Sequence, residues 1–120
     1  MSQNSSQKYY FIYILICENN SLYTGYTTDL TRRFQEHLQG TRKCKFTRSF
    51  KPLAIAQSWQ INGDKTTALR IERFIKKLPK SEKEQLIKWP AKLLDLLLKN
   101  GWQDNAVHLA EIIENIADKY

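Results

Sequence analysis

Two apolar runs separated by only four polar residues constrain this chain more than anything else in it. Tyr9 to Cys17 is a continuous aromatic and β-branched stretch, and Leu22 to Thr27 returns directly after Glu18-Asn19-Asn20-Ser21. Asn tolerates positive φ and short polar side chains satisfy turn backbone, so the four residues close a hairpin. The first 27 residues therefore read as two antiparallel strands.

Helices follow at a different period. Asp29 is a natural N-cap, its carboxylate accepting free backbone N–H groups. Leu30, Phe34 and Leu38 at i, i+4, i+8 then form a narrow apolar stripe ended by Gly40. Thr41 to Lys51 is polar and basic and reads as a loop. After Pro52, Leu53 to Ile61 reads as a third strand, and Asn62-Gly63-Asp64 as a turn into a second helix. Ala68, Ile71, Phe74, Ile75 and Leu78 repeat at helical spacing up to Pro79. Ser81-Glu82-Lys83-Glu84 fits a capping box for a short helix reaching Trp89. Leu93 to Leu98 follows with Asn100-Gly101 as its stop. A last amphipathic helix is expected from about Asn105, with Leu109, Ile112, Ile113, Ile116 and Ala117 on its apolar side.

The order β-β-α-β-α-α lacks the alternation of a parallel sheet. The expected fold is α+β, a small three-stranded antiparallel sheet flanked by helices with a C-terminal helical extension. Residues 1–8 are expected as a disordered tail, 9–90 as the domain and 91–120 as the extension.

At 120 residues there is room for one domain with a modest core. No apolar run approaches the roughly 20 residues that span a bilayer. The polar start has neither the basic region nor the cleavage site of a signal peptide, so no membrane association is expected. Cys17 and Cys44 have no CxxC spacing, which argues against a disulfide framework and a zinc site. Reduced thiols and a cytoplasmic location are expected, with the nucleoid as an alternative within it.

Charge is unevenly spread. Residues 1–90 hold 16 of the 19 Lys and Arg but only 7 of the 12 Asp and Glu, so the positive excess belongs to the domain. Such a field attracts phosphate backbones without reading sequence.

The chemically useful side chains crowd into one region. Tyr13 and Tyr23 lie on the two hairpin strands, where such residues can face each other across the sheet. Arg33 and His37 are four apart on the first helix and share a face that flanks its apolar stripe, at the edge of the core. Glu72 lies beside the stripe of the second long helix, four residues before Lys76, and an i, i+4 ion pair would account for it.

Together these residues resemble the GIY-YIG nuclease domain. Phe11-Ile12-Tyr13 stands at the first family motif and Tyr23-Thr24-Gly25 at the second. Arg33 and His37 fall on the arginine and histidine of the following helix, with Asp29-Leu30 ahead of them. Glu72, within Ala68-Leu69-Arg70-Ile71-Glu72, matches the metal-binding glutamate. The resemblance is closest to small stand-alone bacterial members, which share the Leu-Tyr-Thr-Gly-x-Thr-Thr-Asp run and the basic segment Lys45-Phe46-Thr47-Arg48. It covers roughly residues 9 to 90. Phe11 replaces the first glycine of the namesake motif, and Thr24 replaces the middle isoleucine or valine of its partner.

The resemblance implies a metal-dependent endonuclease hydrolysing phosphodiester bonds in DNA, with branched or damaged substrates and a repair or recombination role in view. It implies one Mg²⁺ or Mn²⁺ ion held by Glu72. Arg33 would neutralise charge growing in the transition state. Tyr13 or Tyr23 would be the general base, and His37 would accept or relay a proton. Gly25, Arg32, Lys43, Lys45, Thr47 and Arg48 would contact the nucleic-acid backbone, with RNA as the alternative to DNA. The competing reading is a non-catalytic or partner-dependent nucleic-acid-binding module. A protein partner or homodimer formed through the C-terminal helix is a further expectation.

Overall fold

The computed structural model describes residues 9–40, 47, 49–102 and 113–114. Three strands, β1 (Tyr10–Cys17), β2 (Leu22–Thr27) and β3 (Pro52–Ile61), form an antiparallel sheet with β1 in the centre. The β1–β2 turn closes where the sequence places it, with Asn20 in the left-handed region at φ 65°. Ser21 N–H donates to Asn19 Oδ1 at 3.1 Å within that turn.

Among the described residues, four helices of eight or more residues accompany the sheet. Helix α1 (Leu30–Gln39) starts at Asp29, whose carboxylate accepts from Arg32 N–H at 3.0 Å, and ends at Gly40 with φ 67°. Helix α2 (Lys65–Lys76) starts at Asp64, which accepts from Thr67 N–H at 2.9 Å. Helices α3 (Lys80–Lys88) and α4 (Lys92–Lys99) follow.

Strand alternation on β1 builds a core on each face. Ile12 and Ile14 pack with Trp59, Ile61, Ala68, Ile71, Ile75, Leu86, Leu93 and Leu97, joining the sheet to α2, α3 and α4. Tyr13, Leu15 and Cys17 face the other way, against Leu30 and Phe34 of α1, with Tyr23 and Ile55. Each fully buried Ile or Leu contributes on the order of 1.5–3 kcal/mol, so the larger cluster carries most of the stability. Gln57 Nε2 donates to the Ile87 carbonyl at 2.9 Å and Trp59 Nε1 to the Pro90 carbonyl at 3.1 Å. These two bonds tie the end of α3 to β3.

β3 serves both faces because its pairing with β1 is irregular. Ile14 pairs with Gln57 but Leu15 pairs with Ile55, leaving Ala56 as an extra residue. A one-residue bulge reverses the side-chain alternation. Trp59 and Ile61 therefore join the α2 side, while Ile55 joins the α1 side.

Several expectations need correction. The capping box at Ser81 does not form. Helix α3 begins earlier, at Lys80, with the Pro79 carbonyl accepting from Glu82 and Lys83 N–H. The preset φ of proline starts the first turn before Ser81 can cap it. The helix expected through Ile113 is interrupted. Ile113–Glu114 is a short strand, β4, paired antiparallel to Ile61 and Gln60, giving sheet order β2-β1-β3-β4. The unpaired edge of β3 competes there with helix periodicity and wins. The rest of that expected helix and the expected N-terminal tail lie outside the described residues. Thr47 and Ser49 are helical where a loop is expected.

Candidate active site

His37 organises the site, and it is not at the edge of the core. It is 1% exposed, whereas Leu38, counted in the apolar stripe, is 39% exposed. Helix α1 is thus rotated so that Leu30, Phe34 and His37 meet the sheet. The helix presents a polar ring to the interior because β1 and the segment at Thr47 offer it polar partners.

Those partners are Tyr13 and Thr47. The Tyr13 hydroxyl is 2.9 Å from His37 Nε2, and Thr47 Oγ1 is 2.8 Å from His37 Nδ1. Burial, and then the nearby Arg33 cation, push the imidazole pKa down to about 4, with Glu36 acting in the opposite sense. His37 is therefore neutral near pH 7.

Tyr23 joins from β2. Its ring centroid lies 5.0 Å from that of His37 and 6.3 Å from that of Tyr13. The two tyrosines share a face but are diagonal rather than opposite. Tyr13 pairs with Gly25, and Leu15 pairs with Tyr23. Gly25 is buried, and a Cβ on it would stand 2.5 Å from the Tyr13 hydroxyl oxygen and 3.1 Å from Tyr23 Cε1. It is a close-approach glycine under the two rings. A glycine inside a strand is the sequence signal for such a role.

Arg33 sits one turn before His37, its side chain 17% exposed and donating to Glu36 Oε1 at 2.9 Å. It lines an open cleft of about 490 Å³ together with Tyr10, Tyr26, Thr27, Thr28, Arg32, Glu36 and Lys65. Three cations against one carboxylate make this cleft positive. Arg32 is largely solvent-exposed, with Nε 3.9 Å from Glu36 Oε2. Tyr10, Tyr26 and Lys65 are absent from the sequence-derived site because nothing local joins the starts of β1, α1 and α2. Glu36 was legible as the i+3 neighbour of Arg33.

Thr47, expected on a phosphate backbone, is 3% exposed and turned onto His37. Lys43, Lys45 and Arg48 lie outside the described residues. Glu72 is 8% exposed on α2, on the opposite face of the sheet from α1. Its carboxylate meets the Lys76 ammonium at 3.5 Å. A nearly buried carboxylate whose ion-pair partner is an exposed lysine can exchange that partner for a hard divalent cation that keeps several waters. Among the described residues no group of three or more His, Cys, Asp or Glu gathers into a cage.

Over most of its length the chain is similar to known proteins. Residues 9–85 match the model of the GIY-YIG catalytic domain. The UPF0213 protein VC_A0739 of Vibrio cholerae is 42% identical over 84 residues, covering 70% of this chain and 82% of the relative. The UPF0213 protein BH0048 of Halalkalibacterium halodurans is 36% identical over 101 residues, covering 84% of this chain and 96% of the relative. The solution NMR structure of BH0048 aligns with a TM-score of 0.39 at 38% identity, covering 67% of this chain and 83% of that one. With the matched model spanning both tyrosines, the α1 arginine and histidine and the α2 glutamate, the chain belongs to the GIY-YIG catalytic domain family, a family of nucleases.

Proposed function

We propose that the chain is a divalent-metal-dependent endonuclease that hydrolyses phosphodiester bonds in DNA. The observation that carries this reading is the enclosed hydrogen bond from Tyr13 to neutral His37, one helical turn from an arginine that lines a cationic cleft. A module that only binds phosphate backbones has no use for a buried phenol–imidazole pair.

The cleft residues Arg32, Arg33 and Lys65 draw in the phosphate backbone. Arg33, planar and permanently charged, donates to the non-bridging oxygens and follows their growing charge in the transition state. Tyr13 takes a proton from the attacking water, and His37 is placed to receive the phenol's own proton. Tyr23 walls the pair on its other side. A Mg²⁺-type ion at Glu72 would polarise a phosphate oxygen and acidify water.

The test is a cleavage panel of single-stranded, duplex, flap and branched DNA, with RNA counterparts, in Mg²⁺ or Mn²⁺ at fixed salt. Arg33→Ala and Glu72→Gln should each lower the rate about 100-fold or more, the scale of one lost transition-state contact. Cleavage at the wild-type rate by both variants sinks the assignment. Tight binding by wild type without cleavage on any substrate would establish the binding-module reading instead.

A further inference from the structure

Thr47 belongs to the basic segment by sequence, yet its hydroxyl is spent inside the protein. Tyr13, His37 and Thr47 are exposed by 2%, 1% and 3%, and the two hydrogen bonds joining them are 2.9 and 2.8 Å long. A neutral imidazole has one N–H and one lone pair. It cannot donate at both ends or accept at both ends, so the three-residue chain runs in one direction. The partner on Nδ1 decides that direction, as the outer neighbour of a working histidine commonly does.

We infer that Thr47 is a positioning residue: its Oγ1 accepts Nδ1–H, holds His37 in the Nδ1-protonated tautomer, and leaves the Nε2 lone pair to accept the Tyr13 hydroxyl proton. The catalytic consequence rests on the nuclease reading above. In the opposite tautomer Nε2–H would point at Tyr13 and the imidazole could not receive a proton from it. In the assigned one, a water proton moves to Tyr13 Oη as the phenol proton moves to Nε2. The hydroxide electron pair forms the new P–O bond and the bond to the leaving oxygen breaks. The leaving oxygen takes a proton from water, and the proton held on His37 returns through Tyr13 to the hydroxide so formed. Thr47 keeps a lone pair on Nδ1–H throughout, so the ring does not turn while it is charged.

Long-range proton–nitrogen NMR of the ¹⁵N-labelled full chain reads the tautomer directly. The wild-type His37 ring should be neutral with its proton on Nδ1 at pH 7. In Thr47→Val, which keeps the shape but has no lone pair, the ring should lose that preference. Its kcat should fall about tenfold or more, with KM for DNA within about twofold of wild type. Thr47→Ser should restore the tautomer and most of the lost kcat. A wild-type ring protonated at Nε2 overturns the inference, and that measurement needs no variant to fold. A Thr47→Val enzyme with raised KM and unchanged kcat overturns it too, returning Thr47 to backbone contact. Absence of cleavage by wild type would defeat the nuclease reading, while the NMR result would still decide what Thr47 does to the ring.

Discussion

Gly25 lies directly under the Tyr13 phenol, its paired residue across β1 and β2, at a distance that leaves no room for a methyl group. The glycine thereby sets the height of the hydroxyl that meets His37. Gly25→Ala should destabilise the fold by about 1–3 kcal/mol, the usual cost of overpacking. Cleavage should fall further than stability explains, because the ring must tilt away from Nε2. Urea midpoints and kcat measured on the same preparation check both parts. A fully active, fully stable alanine variant would show that the ring moves freely.

Folding should depend on pH through His37. Its pKa is held near 4 in the native state against an ordinary 6.5, so the unfolded chain binds more protons between those values. Stability is then complete above about pH 6.5, falls as pH drops toward 4, and levels off below it. The full loss is roughly 3 kcal/mol at 1.36 kcal/mol per unit. Urea unfolding of wild type and His37→Gln from pH 8 to pH 4 should show this slope in the wild type and a flatter line in the variant.

Glu36 competes with phosphate for Arg33. Its carboxylate occupies one guanidinium nitrogen at 2.9 Å and stands 3.9 Å from Arg32 Nε. Glu36→Gln should cost only about 0.3–0.5 kcal/mol of helix stability. DNA affinity at low salt should rise several-fold, on the order of 1 kcal/mol for one less repelling charge near the backbone. The pKa of His37 should fall further, since Glu36 raises it. Fluorescence anisotropy across a salt series would reveal the change. Unchanged affinity would mean that phosphate does not approach Arg33.

Thr24 carries a buried polar atom that the described residues do not satisfy. Its Oγ1 has no hydrogen-bond partner among the described residues, and the side chain is 3% exposed. Thr24→Val should stabilise the chain by about 1 kcal/mol by removing the unpaired hydroxyl while keeping its shape. A raised urea midpoint with unchanged m-value is the expected result; a lowered one would mean that the hydroxyl has a partner.

Much of this molecule was legible in the sequence because its signals are local. Asp29, Asp64 and Gly40 cap helices where their chemistry says they should, and the turn at Asn19-Asn20 closes the hairpin. What was not legible depends on distant partners. Counting apolar residues on α1 put Leu38 inside and His37 at the rim, because only Tyr13 and Thr47 make an imidazole the better interior group. The diagonal offset of Tyr13 and Tyr23 follows from register, which the turn sets and the alternation alone does not reveal. Thr47 read as a phosphate contact because its neighbours in sequence are basic, although its neighbour in space is His37. The cleft of Tyr10, Tyr26, Arg33 and Lys65 is assembled from element ends far apart in the chain.

The extra residue in β3 bears on how this domain tolerates change in length. Removing Ala56 would leave Ile55 and Gln57 adjacent, so that Ile55 and Trp59 stand three residues apart and ordinary alternation alone puts them in opposite layers. Both cores would keep their β3 contribution, and the pairing with β1 would become regular. Removing a neighbour such as Gln57 or Ser58 would instead shift part of the strand by one residue against β1 and turn its side chains to the wrong face. A single-codon deletion at Ala56 should therefore be tolerated far better than one at any other position of this strand.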